Sequence, residues 1–391
     1  MIIENLIQRT LRSNLCSAIN QMRSTAILLF FSAAVVLFPW KSAQAIDFVA
    51  PTNNPIKWHP GHYVTLVYPG PSKPAYMEKV YQELADYPTL RGVTIRYRWP
   101  DLEPTKGNYD FSSISNHLKA LAARKKRLII LIELRSSVQY GPPELVPEYL
   151  KAAAYEGGIF PFSGSRSTAI KGYNIKLWNA QVQERFAALI SKLGERFNSH
   201  SYFEGIGLTE TSIGKPITPL TGAQFNGYYK NIININQQMR MHFPNTMVFQ
   251  FMNYPRDKIP SFVNNMKKTG IALGCPDIFL EEAGLFYDAT KTPPEGIYSY
   301  YPGLSGVIPL TVQIEESNYE NTRYDNKGFQ PAISELLTFA KQNLKINYLF
   351  WTRSPDYFPE VLELMSMKNQ RSNTSGGLNA ACPSSYFSCV K

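Results

Sequence analysis

Short apolar runs alternate with amphipathic segments along most of the chain. Each run is rich in β-branched or aromatic residues, and most are followed by apolar residues at helical spacing, as at Met77, Val80 and Leu84. The helix after the sixth run has the weakest pattern. The runs that predict strands lie at residues 62–69, 92–99, 127–135, 203–210, 246–254, 276–282, 308–316 and 346–351.

Eight such alternations predict a (β/α)8 TIM barrel. This fold takes about 250 residues plus insertions, which fits a single catalytic domain at residues 46–367 with long loops after strand 3 (136–176) and strand 6 (283–306). A doubly wound open sheet is the alternative. It is disfavoured because no strand is followed by a phosphate-binding glycine pattern. The polar tail, residues 368–391, is predicted to be peripheral.

The N-terminal segment has the pattern of a secretory signal. The apolar run AILLFFSAAVVLF at residues 26–38 is followed by KSAQA, which predicts a signal peptide at 1–45 with cleavage after Ala45. A membrane anchor is the alternative, but the run is shorter than the roughly 20 residues that span a bilayer. Met22 is a second possible start. We therefore expect a secreted or periplasmic protein with no membrane segment after cleavage.

Charge and cysteine content limit the classes of partner and cofactor that the protein is expected to bind. The formal net charge is +10, but the basic residues are scattered apart from ARKKR at 123–127. That cluster ends a predicted helix, where cations favour the helix dipole, so nucleic-acid binding is not predicted. In an oxidising compartment Cys382 and Cys389 could pair, which would leave Cys275 as a buried thiol. No Cys/His spacing is typical of a zinc site, so neither metal nor cofactor is predicted.

Carboxylates stand where strands 4 and 7 end. Glu210 ends strand 4, and Glu315 and Glu316 end strand 7. The C-terminal ends of barrel strands form the active site, and two facing carboxylates suit glycoside hydrolysis. The alternative is that each is a solvated acid at a strand end. Apolar residues alternate from Leu310 to Ile314, so Glu315 should point into the barrel, unless a bulge selects Glu316 instead.

Two further stretches resemble the clan A glycoside hydrolases, the TIM-barrel superfamily of cellulases and β-galactosidases. GVTIRYRWPDLEPTKGNYDF at 92–111 is similar to their second strand and loop, and LFWTRSP is similar to their eighth. The resemblance implies that Trp351 forms the floor of a sugar subsite. Trp99 is expected at the barrel mouth, where its ring would stack on sugar.

The resemblance also implies roles for the charged residues. Glu210 would be the acid/base and a strand 7 glutamate the nucleophile. Arg96 would keep the nucleophile ionised, with Arg98 as the alternative of the same parity. Tyr287 would hydrogen-bond to the nucleophile. Thr209 departs from the pattern, because clan A members carry an asparagine before the acid/base.

The sequence therefore predicts an exported retaining glycoside hydrolase acting on a β-linked poly- or oligosaccharide, with carbohydrate as its partner. A barrel that binds carbohydrate without cleaving it is the first alternative. The second is other carboxylate chemistry at Glu281 and Glu282, with a metal bound between them.

Overall fold

The computed structural model describes residues 54–66, 68–137, 144–164 and 168–391. The signal-peptide prediction and Met22 lie outside these residues. Among the described residues, no helix is both long and apolar enough to cross a membrane.

Eight parallel strands close into a barrel, which confirms the predicted fold. We number only these strands and the helices that follow them. Each strand pairs with its sequence neighbours, and the last pairs with the first. The strands are β1 Gly61–Leu66, β2 Leu90–Tyr97, β3 Arg127–Ile132, β4 Phe203–Leu208, β5 Met247–Phe251, β6 Ala272–Cys275, β7 Leu310–Ile314 and β8 Tyr348–Thr352.

A helix follows each strand and covers the outside of the barrel. The helix after β6 is a single short turn, in line with its weak sequence pattern. The helices are α1 Pro74–Asp86, α2 Ser112–Ala123, α3 Ala180–Phe197, α4 Gly222–His242, α5 Ile259–Thr269, α6 Tyr301–Leu304, α7 Ile333–Gln342 and α8 Phe358–Ser366.

The alternation of side chains divides the core into two layers. Aromatic and branched residues such as Tyr63, Leu131 and Phe350 fill the barrel interior. The residues between them on each strand pack outward against the helices. In β7 the outward set runs from Leu310 to Ile314 at every second position, as the sequence predicts.

The sixth strand lies earlier in the chain than predicted. Helix α5 ends at Thr269 and is capped by Gly270, whose φ of 71° is left-handed. Strand β6 begins two residues after this glycine, at Ala272. The predicted run 276–282 is instead loop, beginning at Pro276. This segment is apolar because Ile278 and Phe279 are buried, not because it joins the barrel. A short strand without β-branched residues carries little sequence signal.

The loop after β3 builds a small antiparallel sheet above the barrel. Its strands are Arg135–Ser137, Ile159–Ser163 and Ile170–Ile175, and the two-residue strand Lys215–Pro216 from the β4 loop joins its edge. This sheet connects the segments that follow β3 and β4, where Glu210 lies.

The C-terminal tail packs beneath the barrel and is not peripheral. Its strand Ser388–Val390 pairs in parallel with Pro55–Lys57. Tyr386 is buried edge-on against Trp58, whose ring nitrogen donates to the carbonyl of Ala380 at 3.0 Å. The tail thus closes the N-terminal end of the barrel interior.

The cysteine predictions are confirmed. Cys382 and Cys389 form a disulfide within the tail. Cys275 is buried and unpaired among the described residues.

A buried charge cluster lies at the same end of the barrel. Glu204 is fully buried and accepts hydrogen bonds from the His59 ring (2.9 Å), the Tyr348 hydroxyl (2.8 Å) and Arg127 (3.2 Å). Burial raises the pKa of Glu204, but these partners outweigh it and leave the pKa below its usual value. Glu204, Arg127 and Tyr348 stand at the starts of β4, β3 and β8, at the opposite end of the barrel from the C-terminal strand ends, so the role of the cluster is structural.

Candidate active site at the C-terminal ends of the strands

Arg96 and Glu315 form an ion pair at the C-terminal end of the barrel, which we call the mouth. Arg96 points inward from β2 because Ile95 and Tyr97 pack outward. Glu315 follows β7, where its backbone N–H donates to Asn318 at 2.8 Å. Arg96 and Gln313 both donate to the same carboxylate oxygen of Glu315.

Opposing influences set the pKa of Glu315. Burial raises it, Arg96 lowers it, and the charge of Glu210 raises it again, so that the pKa lies above its usual value. Arg96 therefore favours the ionised form, as the sequence predicts, without fully offsetting burial and Glu210. Glu210 follows β4 and Glu315 follows β7, so both predicted carboxylates stand at the C-terminal end of the barrel.

Glu210 forms an ion pair with a different arginine, Arg135. Glu210 stands two residues beyond β4, and Arg135 from the end of the β3 segment donates to its Oε1 at 2.9 Å. The same Arg135 nitrogen donates to the carbonyl of Ser212 at 3.1 Å. The guanidinium also lies over the Phe162 ring, 4.1 Å from its centroid. Arg135 thus links Glu210 to the loop that follows it.

Two acids that were not predicted complete the mouth. Burial raises the pKa of Glu133 to about 7, although Arg96 and Arg98 oppose it. Burial also raises the pKa of Asp277 to about 7, helped by the charges of Glu315 and Glu210. The raised pKa favours the protonated form of each acid, and a protonated carboxyl can donate as well as accept a hydrogen bond.

The sequence held a signal for one of these acids. Glu133 continues the inward alternation of Ile129 and Leu131, so its position could be deduced from parity. Asp277 was missed because β6 was placed too late in the chain. Arg135 was missed because no sequence rule pairs it with Glu210, and only the fold brings the ends of β3 and β4 together.

The structure separates the alternatives for the charged residues. Glu316 begins a short helix, Glu316–Glu320, and accepts a hydrogen bond from Ser354 at 2.7 Å. Arg98 pairs with Asp101, and its guanidinium lies 4.9 Å from the centre of the Tyr68 ring. Of the predicted alternatives, Glu315 rather than Glu316 and Arg96 rather than Arg98 are thus the two residues that contact each other.

The two predicted tryptophans do not line the mouth. Trp351 is fully buried. It faces the helices, because Phe350 and Thr352 on either side of it in β8 point into the barrel. Its ring nitrogen donates to His62 at 3.0 Å. Trp99 is also fully buried and donates to Glu103 at 2.8 Å. Both predictions are wrong, because these rings are anchors of the outer core.

The phrase WPDLEP therefore has a structural meaning. Glu103 is fully buried and accepts hydrogen bonds from Trp99, from the Gly107 backbone and from Arg185. It fixes the loop after β2 to helix α3. The phrase stabilises the barrel and does not contact the acids of the mouth.

Tyr287 does not contact Glu315 either. Its side chain is 63% exposed, and the hydrogen bonds to the Glu315 carboxylate within the described part of the chain come from Arg96 and Gln313. The prediction for Tyr287 is therefore wrong. The loop after β6 turns inward instead through Tyr298, whose hydroxyl donates to the carbonyl of Asp277 at 3.0 Å.

Thr209 is buried and turned toward β3. Its hydroxyl accepts a hydrogen bond from the Leu134 backbone at 2.8 Å, and its carbonyl accepts one from Gln250 at 2.7 Å. The residue thus holds the end of β4 against its neighbours on both sides. It does not take the position of an asparagine amide that reaches into the mouth.

Glu281 and Glu282 join two loops. Glu281 accepts a hydrogen bond from the Thr322 hydroxyl at 2.5 Å, and Glu282 accepts one from the Tyr324 backbone at 3.1 Å. No group of three potential metal ligands occurs among the described residues. The two acids fasten the loop after β6 to the loop after β7.

No protein-family model matches the sequence, and no curated protein matches it. Solved structures do share its fold. The catalytic domain of β-amylase from Paenibacillus polymyxa aligns with a TM-score of 0.53 at 10% identity, over 83% of this chain and 96% of that one. A β-galactosidase from the psychrophilic Marinomonas ef1 also gives 0.53 at 10% identity, over 82% and 61%. A β-galactosidase from Bacillus circulans sp. alkalophilus gives 0.52 at 10% identity, over 75% and 50%. The chain thus shares the (β/α)8 barrel fold of these three enzymes.

Proposed function

We propose that the protein is an exported retaining glycoside hydrolase that cleaves a β-linked poly- or oligosaccharide. The observation that carries the proposal is the pair of carboxylates at the C-terminal ends of β4 and β7, with Arg135 bound to Glu210 and Arg96 bound to Glu315. The likeness to glycosidase barrels supports the fold, and the site itself supports the chemistry.

The proposed reaction has two steps. Glu315 attacks the anomeric carbon while Glu210 gives its proton to the glycosidic oxygen, so the carbon–oxygen bond breaks and its electron pair stays with the leaving alcohol. Glu210 then takes a proton from water, which displaces Glu315 and releases the sugar with its original configuration. Glu133 and Asp277, with pKa values of about 7, would hydrogen-bond to sugar hydroxyls beside the reacting carbon.

The Glu210→Gln variant tests the mechanism. We expect it to lose about 10²- to 10⁴-fold in kcat on a natural substrate, because proton transfer to the leaving oxygen is lost. With a dinitrophenyl glycoside, whose leaving group needs no proton, it should accumulate a sugar adduct on Glu315 that peptide mass spectrometry locates. Glu316→Gln is the matched control, because Glu316 bonds to Ser354 and should leave activity nearly unchanged.

Three results would contradict the proposal: normal turnover by Glu210→Gln, an adduct on another residue, or products with inverted configuration in a time-resolved NMR spectrum. Binding of oligosaccharide without turnover by the native protein would instead support the non-catalytic alternative. One observation favours that alternative, namely that Thr209 turns its hydroxyl to β3 and leaves the asparagine position of clan A unfilled.

Export is the second part of the proposal. The disulfide between Cys382 and Cys389 supports it, because such bonds persist mainly in oxidising compartments. Intact-mass analysis of the protein recovered from the medium or periplasm should give a chain beginning at Ile46. Recovery of the uncleaved chain from the cytoplasm would contradict this part without affecting the catalytic one.

A further inference from the structure

A cavity of about 430 Å³ opens beside Glu210. Its walls come from the segment that follows Glu210, from the start of α4 and from the segment that follows β5. The main lining residues are Ile213, Pro216, Leu220, Phe225, Tyr229 and Tyr254. The volume lies in the range of ligand-binding pockets, about 300 to 1,000 Å³.

One arginine links the wall of the cavity to the proposed catalytic acid. The Nη1 of Arg135 donates to Glu210 at 2.9 Å and to the carbonyl of Ser212 at 3.1 Å. Ser212 is itself a lining residue. Ser212 thus stands between the cavity and Glu210, two residues along the chain from the proposed acid.

Most polar groups of the wall are already used within the protein. The Tyr229 hydroxyl donates to the carbonyl of Thr211 at 3.2 Å, and the Thr211 hydroxyl donates to the carbonyl of Tyr254 at 2.6 Å. The carbonyl of Ile213 accepts a hydrogen bond from Asn174 at 3.0 Å. These bonds turn polar atoms inward and leave mainly carbon surface facing the cavity.

Such a wall disfavours a sugar as the leaving group. A pyranose carries hydroxyls on most of its carbons, and each would lose its bonds to water without gaining a partner. An aromatic ring has no such requirement. The wall also offers rings in edge-to-face geometry, as between Phe225 and Tyr229, whose centroids are 5.0 Å apart.

We propose that this cavity is the leaving-group subsite and that it takes an aromatic aglycone. The inference rests on the proposed two-glutamate hydrolysis and changes its leaving group: the substrate is a sugar or oligosaccharide β-linked to a ring-bearing alcohol, and the bond to that alcohol is cleaved in preference to a bond between two sugars. The bond that breaks is the one between the anomeric carbon and the aglycone oxygen. That oxygen keeps the electron pair, takes the proton of Glu210, and leaves as the free alcohol while water supplies the new hydroxyl of the sugar.

The test compares β-glycosides that share one sugar and differ in the alcohol: 2-phenylethyl, n-octyl, methyl, and a second sugar. The three simple alcohols have similar acidity, so differences in kcat/KM among them report the subsite and not the leaving ability. The hydroxyl of the second sugar is somewhat more acidic, which favours the disaccharide and works against the expected result. We expect the phenylethyl glycoside to exceed the methyl glycoside and the disaccharide by about tenfold or more. Equal rates for these three would overturn the subsite, and an octyl glycoside that matches the phenylethyl one would overturn the preference for a ring.

Gly222→Leu tests the cavity by adding a bulky side chain at one of its lining positions without a clash at the Cβ. Gly222 lines the cavity at the first position of α4, and a Cβ added there meets no atom within 4 Å. Gly303→Leu is the matched control, because Gly303 is exposed in α6 and an added Cβ there also meets open space. Gly222→Leu should abolish the phenylethyl advantage and leave the methyl glycoside within about twofold, while the control changes neither. An undiminished advantage in Gly222→Leu would overturn the assignment.

A binding measurement separates this inference from the proposed function. Phenylethyl 1-thio-β-glycoside resists hydrolysis, and calorimetry should show that it binds the native protein and Gly303→Leu but not Gly222→Leu. If that pattern holds and no glycoside is hydrolysed, the hydrolase proposal fails and the aromatic subsite stands. If glycosides are hydrolysed and the thioglycoside binds all three proteins equally, the subsite fails and the hydrolase proposal stands.

Discussion

Replacing Arg96 with methionine removes the cation that contacts Glu315 and keeps a side chain of comparable length. Burial and the charge of Glu210 both raise the pKa of Glu315, and Arg96 is the charge that opposes them. Without Arg96 the pKa of Glu315 should therefore rise further. Because the nucleophile must be ionised, the acid limb of the kcat/KM profile should move to higher pH.

The expected size follows from the geometry of the pair. An opposite charge in contact shifts a carboxyl pKa by about one to three units. The side chains of Arg96 and Glu315 are 20% and 27% exposed, so solvent screens part of their attraction and the lower end of that range applies. A shift of about one unit reduces the ionised fraction about tenfold on the acid side. We thus expect about a tenfold loss in kcat/KM there and a smaller loss on the alkaline side of the limb.

The assay is the pH dependence of kcat/KM for Arg96→Met, with Arg98→Met as the matched control. Arg98 pairs with Asp101, so its removal should leave the limb in place. An unmoved limb in Arg96→Met would refute the assignment of Glu315 as the group that must ionise. An equal shift in both variants would refute the distinction between the two arginines.

Four other predictions concern stability and the corrected residues. Glu204→Gln should lower the free energy of unfolding by about 3 kcal/mol or more in urea titrations, since it removes a fully buried charge from its partners, whereas Glu195→Gln in an exposed pair should change little. Asp277→Asn should raise the urea midpoint of unfolding at pH 8 but not at pH 4. Burial raises the pKa of Asp277 to about 7, so ionisation of Asp277 destabilises the fold increasingly from about pH 4 upward and fully above pH 7. Tyr287→Phe should keep kcat/KM within about twofold, because its side chain is exposed. Trp351→Phe should lower the melting temperature and leave the KM for substrate unchanged, because Trp351 is a buried anchor of the outer core. A large rise in KM in Trp351→Phe would place Trp351 in the site after all.

Most of the fold could be predicted from local pattern. Seven of the eight barrel strands lie within the predicted runs or extend beyond them by one or two residues. The exception, β6, is a four-residue strand between Gly270 and Pro276 with no β-branched residue. Its neighbour in sequence, 276–282, carries the stronger apolar pattern and is buried as loop. Hydrophobicity reports burial, and only pairing with β5 and β7 shows which buried segment is the strand.

Parity explains which of the predicted side chains point into the barrel. Counting from Leu310 places Glu315 inward, and the same rule applied to β3 would have found Glu133. Applied to β8 it would have rejected Trp351, since Phe350 beside it has the inward parity. The aromatic content of the chain favoured a mouth lined by rings that bind sugar. Large rings are equally suited to the layer between strands and helices.

The sequence by itself determined the strand and helix order, the inward direction of Arg96 and Glu315, and the disulfide, because these follow from short-range periodicity and residue chemistry. Tertiary structure alone decided that Arg135 binds Glu210 and that Asp277 joins the other acids of the mouth. It also decided that Trp99 and Trp351 anchor the outer core. These contacts join residues from separate strands, and their geometry depends on the closure and register of the whole barrel.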